Sequence, residues 1–340
     1  MPDPLLAPAD AGVTFASFQN LGLDAALQAA RWAEELGYGS YWTAETTGPE
    51  AFTTLAAAGA AAPSLALGTG VLALQLRTPM VTAMGAATLQ ALHPDRDILL
   101  GVGISSPVVT ERWHGVEYGD RPLARVREYV ALVRECLAGD AVSFAGDFWS
   151  ASKFRLGVRL GDRRPKIVLA ALNEKMLRLA GEVADGVILN YLPASHVPAA
   201  VAHVRAGAER SGNDPTIYAY VHVGVCERTP KALEYARRDL FSYAVVDGYA
   251  RNFTEAGFGD EITELRERHA ARDRDGALAA ISERMIDAID IVGDADHVRR
   301  AVAEYVAAGV DHPILMPLPW ADDRLAVVRD TMAAVAAPAS

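Results

Sequence analysis

Residues 65–71 and 97–104, Leu-Ala-Leu-Gly-Thr-Gly-Val and Asp-Ile-Leu-Leu-Gly-Val-Gly-Ile, are two short apolar runs that each close on Gly-x-Gly, with a helical stretch from Pro79 to Leu92 between them. Runs this short and this apolar suit strands buried on both faces, and strand, helix, strand in that order describes a parallel βαβ unit. Glycine at the closing end lets the backbone bend sharply or lets a planar ligand approach it closely. The pair constrains the architecture and also points to the place for chemistry, the carboxyl ends of the strands.

The alternation continues along the chain. Strands are expected at Val13–Ser17, Ser40–Glu45, Leu65–Val71, Ile98–Gly103, Lys166–Ala171, Gly186–Asn190, Thr216–Cys226 and Pro313–Met316. Helices are expected at Leu23–Leu36, Pro49–Ala61, Pro79–Leu92, Pro122–Leu137, Glu174–Ala184, Ser195–Arg210, Ala295–Ala308 and Asp322–Ala334. Ala141–Phe144 and Phe148–Leu156 suit a β-hairpin inserted after the fourth helix, and Pro230–Asp290 is a charged helical insertion between strands seven and eight. Eight strands alternating with helices, without a low-complexity linker, predict an α/β fold: one (β/α)8 TIM barrel spanning residues 1–340 as a single domain. An open doubly wound sheet would need a G-x-G-x-x-G turn after the first strand, and Phe-Ala-Ser-Phe-Gln-Asn-Leu-Gly from Phe15 does not supply it.

A net charge of −11 argues against nucleic acid or an anionic membrane as partner. The two cysteines, Cys136 and Cys226, have no neighbour at metal-ligand spacing and suit buried thiols of a reducing cytoplasm. The N-terminal segment lacks the basic and apolar parts of a signal peptide, and no apolar run is long enough to span a bilayer, so a cytoplasmic location is expected.

The expected strand ends form a mostly apolar rim with amides and hydroxyls and few charges. Nothing in it suggests a metal centre, and no G-x-S-x-G elbow suggests a serine hydrolase. Such a mouth suits a large planar organic cofactor. Phe15, Leu74, Tyr191 and Trp320 fall at the rim, as pocket lining or as packing. His222 shares a strand face with Tyr218 and Tyr220, as a substrate-facing acid or base or as a packed core histidine.

Tyr-Trp-Thr-Ala-Glu-Thr-Thr-Gly-Pro-Glu (41–50), Leu-Gly-Thr-Gly-Val, Leu-Gly-Val-Gly-Ile-Ser-Ser-Pro, Trp113-His114-Gly115, the helix start at Arg121-Pro122, and Ala-Ala-Leu-Asn-Glu-Lys-Met-Leu-Arg-Leu-Ala-Gly-Glu-Val-Ala-Asp-Gly-Val-Ile (170–188) occur in that order. Together with the late Val-Gly-Asp-Ala-Asp-His-Val, they resemble the luciferase-like flavin and deazaflavin oxidoreductases. Within these, the chain is similar to the branch using coenzyme F420, which includes methylenetetrahydromethanopterin reductase. The resemblance implies a cofactor ring across the strand ends and a bulge with a non-prolyl cis peptide at Gly70–Val71, next to Thr69. On the residues alone, Gly70 equally well simply ends a strand. The resemblance places the cofactor phosphate at Ala170, Ala171, Leu172 and Asn173, where a helix N-terminus offers free N–H groups, while Asn173 also has the character of an N-cap. Gly103, Ser105 and Ser106 stand at the equivalent end of the fourth strand, facing the cofactor's side chain or forming a turn before Pro107. Glu45 falls where F420 enzymes carry an acidic residue followed by histidine, but Thr46 stands in place of that histidine. Glu45 is therefore either the proton-transferring carboxyl or a cap or ion pair. The activity implied is hydride transfer between the deazaflavin C5 and a small organic substrate. The alternatives are an FMN-dependent monooxygenase of the same superfamily and a non-catalytic flavin-binding relative. A homodimer is the expected assembly.

Overall fold

Both Gly-x-Gly runs are parallel strands, and the helix between them begins at Pro79, with the Thr78 hydroxyl accepting the Val81 N–H at 3.3 Å. The computed structural model describes residues 6–336, so the first five residues of the segment examined for a leader lie outside it. In chain order the strands are β1 Gly12–Thr14, β2 Ser40–Thr43, β3 Ala66–Thr69, β4 Leu72–Ala73, β5 Ile98–Gly103, β6 Val142–Ala145, β7 Ser150–Phe154, β8 Lys166–Ala170, β9 Gly186–Leu189, β10 Thr216–Val225, β11 Asp290–Gly293 and β12 His312–Pro317. Eight of them, in the cyclic order β1-β2-β3-β5-β8-β9-β10-β12, pair in parallel and close on themselves. This is the expected TIM barrel, and its outer helices start and end within two residues of their expected bounds.

Three departures concern the mouth. β1 ends at Thr14 instead of Ser17, and the chain turns at once into a 3-10 segment, Ala16–Leu21. The third strand is interrupted at Gly70–Val71, whose peptide is cis, and resumes as β4 against Val102 and Gly103. β11 begins on the last residue of the expected helical insertion, Asp290, and occupies a stretch before Ala295 for which no element was expected. The run Ile-Asp-Ile-Val-Gly is too short for periodicity to tell strand from helix, and long-range pairing with β10 decides.

The barrel interior is filled by Trp42, Leu99, Val168, Ile188, Tyr218, Tyr220, Ile314 and Met316. Trp42 on β2 meets Tyr218 on β10 edge to face, with centroids 5.3 Å apart, across the axis. Glycines make room for these rings. A Cβ on Gly68 would lie 2.2 Å from Trp42 Cε3, and one on Gly70 1.8 Å from the Tyr220 hydroxyl. The first Gly-x-Gly therefore accommodates the protein's own aromatics.

The hairpin β6–β7 is antiparallel, as expected. Glu128 gathers the N–H groups of Asp147, Phe148 and Trp149 at 2.7–2.9 Å, while Arg121 and Arg125 stack on Phe148. The insertion after β10 folds into helices Pro230–Ala244, Asp247–Phe253, Gly259–Ala270, Arg274–Ala279 and Glu283–Ile289. It has its own apolar core, including Leu240, Phe253, Leu265 and Ile286, packed with Tyr191 from the barrel rim. Cys136 is buried as expected, with its thiol pushed up to about 11 by burial, but Cys226 is only partly buried. No helix among the described residues is long and apolar enough to cross a membrane.

Candidate functional site

On one side of the mouth, the interruption of the third strand sets the geometry. Gly70 N–H donates to Thr43 O at 2.7 Å, and the Tyr220 hydroxyl donates to Gly70 O at 2.6 Å. The N–H is thus held by the neighbouring strand β2 and the carbonyl by β10 from across the barrel. Thr69 is buried, and its hydroxyl donates to Gly101 O at 2.8 Å. A Cβ on Gly103 would stand 3.1 Å from Val71 Cγ2 and 3.0 Å from Ala170 Cβ, so Val71, Gly103 and Ala170 form one small-residue shelf. Thr43 Oγ1 and Gln75 Nε2 are buried without a partner in the protein. Gln75 is placed by its other amide atom, which accepts the Ser105 N–H at 3.4 Å. Ser106 Oγ accepts the Val109 N–H at 3.4 Å, the turn that was one of its two expected roles.

Beyond the shelf, Ala171 is buried, and Asn173 caps the helix Glu174–Val183 by accepting the Met176 N–H at 3.2 Å. That leaves a helix N-terminus at the carboxyl end of β8, with partly exposed Leu172 and Asn173.

Glu45 is ion-paired in the structure. Arg77 donates from Nε to Oε1 at 3.0 Å and from Nη2 to Oε2 at 2.9 Å, and Ala51 N–H donates to Oε2 at 3.0 Å. Arg77 also reaches Glu50 at 2.5 Å. The bond to Glu45 is the main cause of a raised guanidinium pKa. Both carboxylate oxygens of Glu45 are thus committed to one bidentate guanidinium. Thr46 is exposed, and its carbonyl meets His114 Nε2 at 2.6 Å.

Across the mouth lies a cleft of about 200 Å³, lined by residues including Ser17, Tyr191, His222, Asp239, Tyr243 and Trp320. It adjoins a wider one of about 350 Å³ that shares Ser17, Pro319 and Trp320. Tyr191 stands at the end of β9 at φ 48°, a conformation that costs a non-glycine residue on the order of 1 kcal/mol. Its N–H is taken by Asn190 Oδ1 at 3.0 Å and its carbonyl by Asn252 Nδ2 at 3.0 Å. The ring lies 4.1 Å from that of His222 and 3.8 Å from that of Tyr243, and its hydroxyl donates to Asp239 Oδ2 at 2.7 Å.

His222 Nε2 meets Asn190 Oδ1 at 2.9 Å, and Nδ1 lies 3.3 Å from Asp290 Oδ1. Asp290 is fully buried at 0% exposure, and neither of its oxygens has a hydrogen-bond partner in the protein. Burial raises the Asp290 carboxyl well above its ordinary range and lowers His222 to about 4. Asp239 is pushed up to about 7, by burial first and by the Asp290 charge second.

Of the residues expected at the site, Val71, Gly103 and Ala170 come together on the shelf, and Tyr191, His222 and Trp320 in the cleft. Phe15 and Leu74 do not line it. Both are buried in the core behind the sheet, Phe15 edge-on to Phe18 at 5.1 Å, because β1 ends early and Phe15 falls in the turn that follows. Asp239, Asp290, Gln75 and Arg77 carry site geometry that sequence reasoning missed. The one local signal was Asp290, a lone charge between Ile289 and Ile-Val.

The luciferase-like monooxygenase family model matches residues 8–312. A provisionally named coenzyme F420-dependent oxidoreductase of Mycobacterium tuberculosis is 32% identical over 305 residues, covering 82% of this chain and 86% of that protein. The 5,10-methylenetetrahydromethanopterin reductase of Methanolobus tindarius is 29% identical over 300 residues, covering 83% and 86%. In fold, the coenzyme F420-dependent tetrahydromethanopterin reductase of Methanopyrus kandleri superposes with a TM-score of 0.75 at 20% identity, over 95% of this chain and 96% of that one. The matched segment runs from before β1 into β12, and the chain belongs to the luciferase-like monooxygenase family.

Proposed function

We propose that the protein is an F420-dependent oxidoreductase that transfers a hydride between a deazaflavin and a small organic substrate. The observation that carries this is the shelf of small residues Val71, Gly103 and Ala170, with a helix N-terminus following it at the carboxyl end of β8. A flat ring suits a shelf of small residues, and an anionic tail suits the helix N-terminus that follows. The similarity to F420-dependent proteins supports the choice of deazaflavin over FMN.

When bound, the deazaflavin supplies the hydride at C5. The chain's share is to bind, orient and exclude water. Tyr220 and Thr43 hold the Gly70 peptide in place, so the face of the shelf is set before a ring arrives. The N-terminus at Glu174 supplies free N–H groups to an anionic tail without a basic side chain. Tyr191, held at both ends of its backbone, walls the cleft on the substrate side. The helices from 230 to 289 cover that wall and keep solvent from it.

The test is to titrate the purified protein with F420 and with FMN, following quenching of each cofactor's fluorescence. Saturable quenching of F420 with no FMN response is expected. Tight FMN binding without an F420 response would overturn the proposal in favour of a monooxygenase, and binding of neither would overturn it in favour of a non-catalytic relative.

A further inference from the structure

We infer that His222, Asp239 and Asp290 form a binding site for a first-row divalent cation at the wall of the cleft. One nitrogen and two carboxylate oxygens, one from each residue, lie within 4.8 Å of one another. The tautomer of His222 follows from its surroundings. The Tyr191 N–H needs an acceptor, so the Asn190 atom at 3.0 Å from it is the oxygen. That oxygen also faces His222 Nε2 at 2.9 Å, so Nε2 carries the proton and Nδ1 presents a lone pair.

That lone pair points toward Asp290 Oδ1 at 3.3 Å, and both Asp290 oxygens are unpartnered at 0% exposure. A proton between the two would satisfy one Asp290 oxygen and leave the other bare. A divalent cation satisfies Nδ1, Asp290 and Asp239 together and cancels both carboxylate charges. Among the described residues, no lysine or arginine pairs with either aspartate.

The spacing agrees. Two ligands of a tetrahedral ion with bonds of about 2.1 Å stand about 3.4 Å apart, close to the separation of His222 Nδ1 from Asp290. Asp239 is only partly buried and lines the cleft. The surroundings are also those of a metal ligand set. The imidazole donates its other N–H to a carbonyl oxygen, and Asp239 accepts the Tyr191 hydroxyl at 2.7 Å. One nitrogen and two carboxylates, without sulfur, select Mn2+, Fe2+ or Zn2+ over Cu+. Three protein ligands leave a position toward the cleft between Tyr243, Met316 and Trp320, which a substrate oxygen would fill.

The test uses the full chain, dialysed against a chelator and titrated with Co2+ as an optical probe and with Zn2+ by calorimetry. The expected result is one equivalent bound per chain, visible cobalt absorption of low-symmetry N,O coordination, and at least tenfold weaker binding in Asp239→Asn and Asp290→Asn. If Asp290→Asn fails to fold, Asp239→Asn, at the partly exposed position, carries the comparison, with its fold checked by circular dichroism. No stoichiometric binding to the wild type, or unchanged affinity in Asp239→Asn, would overturn the site and leave a proton shared between His222 and Asp290. Neither readout depends on a bound deazaflavin.

Discussion

Replacing Glu45 separates a proton carrier from a structural ion pair. Glu45→Ala removes two hydrogen bonds from Arg77, at 3.0 and 2.9 Å, and one from Ala51 N–H at 3.0 Å. Hydrogen bonds to charged groups contribute about 1.5–3 kcal/mol each, but the losses overlap because one guanidinium makes two of them. Arg77 also keeps Glu50 as a partner, and its side chain is 18% exposed, so solvent relieves part of the penalty. The net expectation is a loss of about 3 kcal/mol. With an unfolding entropy of about 2.1 cal/mol/K per residue, that lowers Tm by about 4 °C for a chain of 340 residues. Glu45→Gln should fall between wild type and alanine, since an amide accepts one guanidinium bond but brings no charge. The assay pairs scanning calorimetry with turnover on whichever compound of a carbonyl and imine panel the wild type reduces. Lower melting with kcat within a few-fold of wild type is expected for both variants. An unchanged Tm with kcat reduced a hundredfold or more would refute the ion-pair assignment and make Glu45 the proton carrier.

Tyr220→Phe removes the donor to Gly70 O and should cost about 1–3 kcal/mol in urea unfolding, together with weaker F420 quenching. Asn173→Ala should cost about 1 kcal/mol through the lost cap and weaken F420, while a deazaflavin lacking the phosphate tail binds as before. His312 is partly buried with its pKa lowered to about 4 by desolvation, and its Nε2 accepts from Ser40, whose oxygen is occupied by the Trp42 indole N–H. The unfolded chain therefore takes up that proton first as the pH falls below about 6.5. The stabilisation is complete above that pH and is lost through pH 4, about 3 kcal/mol in all. Urea unfolding from pH 7 to 4.5 should show a shallower decline in His312→Asn than in wild type. Val81, Met84 and Leu92 are exposed along the helix Pro79–Leu92, and if the expected homodimer uses that face, Met84→Glu should yield monomers in sedimentation velocity.

The barrel was legible because its signals are local. Apolar runs of four to eight residues, prolines at helix starts such as Pro79 and Pro122, and the Asn173 cap each act within a few residues. The shelf was half legible. Gly70–Val71 and Ala170–Asn173 stood out, but the partners that hold that turn, Thr43 O and the Tyr220 hydroxyl, reach Gly70 only once the barrel closes. The cleft was the least legible. Asp239 lies in an ordinary charged helix, and nothing near it in sequence shows that Asp290 will reach the same cavity. Phe15 was misplaced by a single structural event, the early end of β1, which turned a rim residue into a core residue.

The ten-residue length of β10 makes the helical insertion a graft with two unlike seams. The lower half of β10 pairs with β9 inside the barrel wall, while the upper half, His222–Val225, pairs residue by residue with Asp290–Gly293. The returning end of the graft is therefore indexed to the barrel, whereas the departing end, Cys226–Thr229, leaves through a turn. Substitutions or exchanges between 230 and 289 can reshape the cleft freely as long as that index is kept. A one-residue slip at the return would turn Asp290 away from His222 and dismantle the wall, leaving the barrel intact.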